Sequence, residues 1–142
     1  MQTFLPFAHF HQSAVVLDRQ RLGKQRVENL QILKALIDPA YGWQNHPAVR
    51  MWRDFEGALV EYQEAICGEW HQVRGYKDTC LDKTYALADA AGIPRSGFAC
   101  PWWLGNPDFH RSHKSNLIRK APEIYRPLFP DVPDDLEYVW PV

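Results

Sequence analysis

The chain has 142 residues, 46% apolar and 23% charged, with 16 Lys and Arg against 17 Asp and Glu. That length excludes a two-domain enzyme of ordinary size, and it supplies enough core to fold without disulfides or a structural metal. The net charge of −1 excludes a protein whose global charge alone draws it to polyanions, and Cys67, Cys80 and Cys100, an odd number, fit neither a disulfide framework nor a paired metal site.

Residues 1–12, aromatic and interrupted by Pro6, read as an ordered, packed arm. They lack the basic start and long apolar run of a signal peptide, and no segment approaches 18 consecutive apolar residues, so a cytoplasmic protein with reduced thiols and no membrane partner is expected. Ser13 offers a helix cap. Leu22, Leu30, Leu33 and Ile37 recur at steps near 3.6, which predicts a first helix from Ala14 to Ile37 with Gly23 as its weak point. Asp38-Pro39 and Tyr41-Gly42 end it. From Pro47 to Arg74 the residues Trp52, Phe55, Leu59, Tyr62, Ile66, Trp70 and Val73 keep a clean helical period, and Gly75 closes this second long helix. Leu81 to Ala91 predicts a shorter helix ended by Gly92-Ile93-Pro94. Ser96 to Asn106 is a loop dense in aromatics, Gly and Pro, and Pro107 opens a further helix reaching Lys120 before Pro122. The last twelve residues carry Asp131, Asp134, Asp135 and Glu137 without a Lys or Arg, leaving 16 basic against 13 acidic groups in residues 1–130; this acidic tail reads as an aid to solubility. No run alternates like a strand. The expected fold is all-α, a single compact domain over residues 1–142 with two long helices, shorter helices and an aromatic-rich loop and tail, and nothing requires more than a monomer.

Two clusters of charge carry candidate chemistry. Arg21, Lys24, Gln25, Glu28 and Ile32 share one face of the first helix, while Arg19 and Arg26 fall inside its leucine stripe, where a guanidinium must snorkel, pair or meet a ligand. One reading is a solvated face with Lys24 and Glu28 paired one turn apart. The other is a phosphate-binding surface around a catalytic carboxylate; it requires Glu28 in a concave, cation-ringed pocket, whereas the first puts it at a rim. The second cluster is His110, Arg111, His113, Lys114, Arg119 and Lys120, opposed locally by Glu123 alone, and it reads either as a strip of backbone contacts or as a solvated face. Among 19 aromatic residues, Trp102, Trp103, Tyr138 and Trp140 are either base-stacking groups or core and loop anchors. The dinucleotide, P-loop, zincin and α/β-hydrolase motifs do not occur.

Gln20-Arg21-Leu22 followed by Glu28 resembles the first helix of the pyrimidine-dimer DNA glycosylases, the endonuclease V family. Arg74-Gly75-Tyr76 after a long second helix is similar to that family's Arg-Gly-aromatic stop, and the basic short helix with later Tyr and Trp is similar to its aromatic C-terminal part. The resemblance implies an all-α domain that removes a pyrimidine dimer or another modified base from duplex DNA with a terminal amine and a glutamate, without metal or cofactor. Glu28 is then the catalytic carboxylate. The family nucleophile is a small second residue; here residue 2 is Gln, whose bulk retains Met1, so the nucleophile is the Met1 α-amine or Lys24, or water attacks with no lyase step. Val27 stands where the family has arginine, with Arg26 one position earlier. The DNA contacts implied are Arg19, Arg21, Arg26, His46, His113, Lys114 and Lys120. A nucleotide or nucleoside N-glycosidase, which the modest charge permits, and a non-catalytic DNA-binding module are the alternatives.

Overall fold

The stretch from Ala14 to Ile37, read as one helix, is two. In the computed structural model, which describes residues 1–142, α1 spans Phe10–Val16 and α2 spans Arg19–Ile37. Asp18 divides them: its backbone is extended and its carboxylate accepts from the Arg21 N–H, capping α2. Ser13, expected as the cap, instead accepts from the Phe7 N–H and donates to the Phe7 carbonyl, which closes the loop ahead of α1. The carbonyls where α1 ends are gathered by Arg74, whose Nη2 donates to the oxygens of Val15 and Leu17 at 3.2 and 2.7 Å and also to that of Ala14, already bonded to the Leu17 N–H, at 3.4 Å. The Arg-Gly-aromatic stop is therefore a structural joint. Arg74 ties α1 down, Gly75 turns the chain at φ 77°, and Tyr76 packs against Trp70 with ring centroids 4.5 Å apart.

The second long helix is also interrupted. α3 covers Pro47–Arg50 and α4 covers Glu56–Gly68, with a wider π-type turn over Glu69–Val73. Asp54, at φ 72°, makes the break. Trp52 before it and Leu59 after it are both fully buried in one core, so the apolar period runs straight through a turn that stops the backbone. Val73, on the expected stripe, is 67% exposed because the wide turn rotates it outward. α5 (Cys80–Ala90) and α6 (Pro107–Lys120) lie where the breakers predict, a short α7 (Pro122–Tyr125), not expected from the sequence, opens at Pro122, and Asn106 caps α6 by accepting from the N–H groups of Asp108 and Phe109. There are no strands: the fold is all-α.

Helix α2 packs against α4 and α5, and α1 packs against α4. At the centre Trp52 stacks on Tyr62 and meets Trp103 edge-on at 5.0 Å, and the Trp103 indole N–H donates to the Met51 carbonyl. Gly23 lets Trp70 lie against α2: a Cβ there would stand 2.9 Å from two atoms of the indole. Gly23→Ala, which in an open helix gains about 1 kcal/mol, is therefore expected to destabilise the fold by about 1–2 kcal/mol through overpacking. Thermal melts of the two proteins measure the sign.

The acidic tail does more than solubilise. Ser115 Oγ accepts from the Leu136 N–H and Ser112 Oγ from the Val139 N–H, while Arg119 donates to the carbonyls of Asp134 and Leu136. These bonds pin it along α6 and bring the rings of Tyr138 and Trp140 to 5.4 and 6.4 Å from that of His113.

Candidate active site

Residues 2–5 belong to no helix, so their buried backbone groups must find side-chain partners. Gln25 of α2 holds two of them, its Nε2 donating to the Gln2 carbonyl at 2.9 Å and its Oε1 accepting from the Phe4 N–H at 2.8 Å. The Tyr62 hydroxyl of α4 donates to the Phe4 carbonyl at 2.5 Å, and the Trp52 indole donates to Thr3 Oγ1. From α6, His113 Nδ1 accepts from the Leu5 N–H at 3.0 Å, while His110 Nδ1 donates to the Leu5 carbonyl at 2.8 Å. His110 Nε2 accepts from the Gly105 N–H, which fixes its proton on Nδ1; His113 must carry its own proton on Nε2, a buried N–H with no partner. Both rings are held neutral. Burial lowers the pKa of each, and for His113 burial, followed by the neighbouring His110, takes it down to about 3. Gln25 is itself braced by a run of buried amides, donating to Asn29, which donates to Gln63, which donates to the Arg26 carbonyl and to Thr84. Three helices thus hold residues 2–5 of the arm in a single position.

The arm ends in a cavity of about 250 Å³ lined by Met1, Gln2, Phe4, Gln20, Arg21, Lys24, Lys120 and Tyr138. Three of the expected cations, Arg21 and Lys24 from α2 and Lys120 from the end of α6, meet Met1 there. Arg21 is aimed by Asp18 at 3.2 Å. Burial alone raises the Asp18 pKa, but bonds from the Tyr125 hydroxyl and Arg21 outweigh it and hold the carboxyl below its usual range. One turn beyond Lys24, Glu28 is 6% exposed and lies 3.7 Å from Lys24 Nζ. The carboxylate is thus buried and paired with Lys24, as the i,i+4 reading expected, and it is not among the residues that line the cavity. His46 completes the group: its Nδ1 accepts from the Ala48 N–H at 3.0 Å, and its pKa is lowered by burial and then by the Met1 ammonium, against an opposing pull from Glu28. His46 thus feels both the Met1 ammonium and the Glu28 carboxylate. A larger groove of about 340 Å³, between the start of α1 and Phe98, contains none of the expected site residues.

Other expected contacts lie elsewhere. The Arg26 guanidinium is held by Asp78 at 2.8 Å and lies 4.8 Å from the centre of the Trp70 ring, away from the cavity. Arg19 stacks over Tyr76 at 4.7 Å, and Lys114 sits over the rings of Phe7 and Phe129. His113, expected on a phosphate strip, is fully buried and bonded to the arm, out of reach of any phosphate. The basic strip on α6 is therefore divided, with His110 and His113 turned to the arm, Arg119 to the tail and Lys120 to the cavity. The positioning roles of Gln25, Tyr62 and His110 were not legible in the sequence, since they depend on which residue faces the arm.

Residues 1–84 match the protein family described as pyrimidine dimer DNA glycosylase. The chain belongs to that family. No curated protein and no solved structure matches the chain. The matched span runs from the arm to the start of α5 and includes Met1, Arg21, Lys24, Glu28 and His46, whereas His110, His113, Lys120 and Tyr138 lie beyond it. Membership of a DNA glycosylase family makes DNA the substrate class and repair the setting. No helix is long and apolar enough to cross a membrane.

Proposed function

We propose that the protein excises a pyrimidine dimer or another modified base from duplex DNA, with the Met1 α-amine as nucleophile and Glu28 as the catalytic carboxylate. The observation that carries this reading is the side-chain clamp on residues 2–5, which brings Met1 into a cavity with Arg21, Lys24 and Lys120; Glu28, buried outside that lining, is linked to it by its ion pair with Lys24. The amine nitrogen attacks C1′ as the glycosidic bond breaks, and the bonding pair leaves with the base. Loss of a proton from nitrogen and opening of the sugar give an imine, after which removal of a C2′ proton expels the 3′ phosphate and nicks the strand. Glu28 stabilises the positive charge developing on the sugar and carries protons, and His46, whose Nδ1 is taken by the Ala48 N–H, has Nε2 left as a donor. Lys24 is the lesser candidate for the nucleophile because Glu28 holds its ammonium as an ion pair. Arg21, Lys24 and Lys120 receive phosphates.

Incubation with UV-irradiated and with undamaged duplex, with and without borohydride, tests the reading, followed by denaturing gels and mass analysis of any trapped peptide. A reduced adduct on Met1 is the expected product. An adduct on Lys24 moves the nucleophile, and neither adduct nor nick, even after alkali, removes the dimer as substrate. Phosphate contacts are assigned by salt titration. Lys120→Ala is expected to lower the slope of log affinity against log salt by about one. Arg26→Ala is expected to leave that slope unchanged and to cost only about 1 kcal/mol of stability, because the partly buried Asp78 carboxylate keeps the N–H groups of Cys80 and Leu81.

A further inference from the structure

We infer that Trp43 is a base-stacking residue, presenting its indole to the face of an unstacked nucleobase at the outer end of an aromatic row that leads to the Met1 cavity; the inference rests on the reading of the protein as an enzyme acting on DNA. The loop between α2 and α3 is built to hold this ring outward. Gln44 Nε2 donates to three carbonyls, those of Ala35, Asp38 and Tyr41, at 2.7, 2.9 and 2.9 Å, and the Trp43 carbonyl accepts from the His46 N–H at 3.0 Å. Trp43 itself sits at φ 69°, a conformation that bulky L-residues rarely adopt, and it is 55% exposed. A fold that keeps a large apolar ring in water, at a strained position and on a loop this tightly bonded, loses free energy that ligand contact would return.

The neighbours say which ligand. Trp43 meets the His46 ring edge-on at 5.6 Å, His46 meets Trp140 at 6.3 Å, and Trp140 lies 5.2 Å from Tyr138, which lines the Met1 cavity. An aromatic row thus runs from the cavity outward and ends on a bare indole. The cavity at its inner end carries Arg21, Lys24 and Lys120, the charges that flanking phosphates require. A flat π-face beside phosphate-binding cations suits a nucleobase lifted from its stack, and such stacking tolerates any base.

The test uses a duplex with a tetrahydrofuran abasic analogue, which the enzyme binds but cannot turn over, and compares wild type with Trp43→Ala and Trp43→Phe. Both variants keep the same unfavourable backbone position, so their difference reports the ring. Trp43→Ala is expected to weaken binding about tenfold, a typical loss for one stacked base. Trp43→Phe should stay near wild type, with both salt slopes unchanged. Wild-type affinity in Trp43→Ala overturns the assignment while leaving the glycosylase reading intact. Equal losses in both variants also overturn it, by showing that loop shape rather than the ring matters. Failure of the wild-type protein to prefer the abasic duplex over an undamaged one instead removes the DNA-enzyme reading on which the inference rests.

Discussion

Glu28→Gln is expected to slow base excision by about 10²–10⁴-fold, the usual contribution of a positioned acid or base, while affinity for a damaged duplex stays within a few fold of wild type. The side chain is 6% exposed, pairs with Lys24 of the cavity wall and acts electrostatically on His46, the two links that join its charge to the cavity in the proposed reaction. Gln fills the same volume but neither carries the charge nor accepts the proton. Freed from its ion pair, Lys24 becomes a fully available cation, so binding is expected to hold or to tighten slightly. Single-turnover gels and filter binding on the same protein separate the two effects. Equal loss of turnover and of binding would make Glu28 a structural acid and end its catalytic assignment.

Element positions were legible where local chemistry decides them and illegible where packing does. Pro107 and Asn106 announce α6, and Gly75 announces the end of the Glu69–Val73 turn, because a missing donor, a capping carbonyl and a left-handed φ are local demands. The breaks at Asp18 and Asp54 escaped because apolar residues on both sides of each face one core, so the hydrophobic period continues where the hydrogen-bond ladder stops. At the site, the face carrying Arg21, Lys24 and Glu28 could be read from helical spacing alone. Lys120 could be read as basic but not as a neighbour of Met1, a proximity that exists only once the fold brings the end of α6 to the arm. His113 shows the converse: within a basic run it reads as a surface cation, yet the arm's Leu5 N–H takes it into the core as a neutral acceptor.

That inversion has a measurable consequence in acid. In an unfolded chain a histidine titrates near its ordinary pKa, about 6.5, whereas His113 in the fold is lowered to about 3 by burial and by His110. Above the ordinary value both states are neutral and the clamp contributes in full. Below it the unfolded chain takes up a proton that the folded chain refuses, so stability falls by up to about 1.4 kcal/mol per pH unit for this residue until the folded value is reached. Protonation of His113 would also set N–H against the Leu5 N–H and release the arm that places Met1. His113→Asn, whose side-chain oxygen replaces the Nδ1 acceptor, is expected to melt earlier at pH 7 because the ring's volume is lost, but to lose stability more slowly between pH 6.5 and 4. His113→Ala should share the flatter acid limb and lose more turnover than His113→Asn, with duplex affinity little changed in either. Thermal melts across that pH range, beside single-turnover rates at pH 7.5, check both halves. An Asn variant as acid-sensitive as wild type would show that other groups carry the proton uptake, and Asn and Ala variants of equal rate would show that the His113 bond to Leu5 does not position the amine.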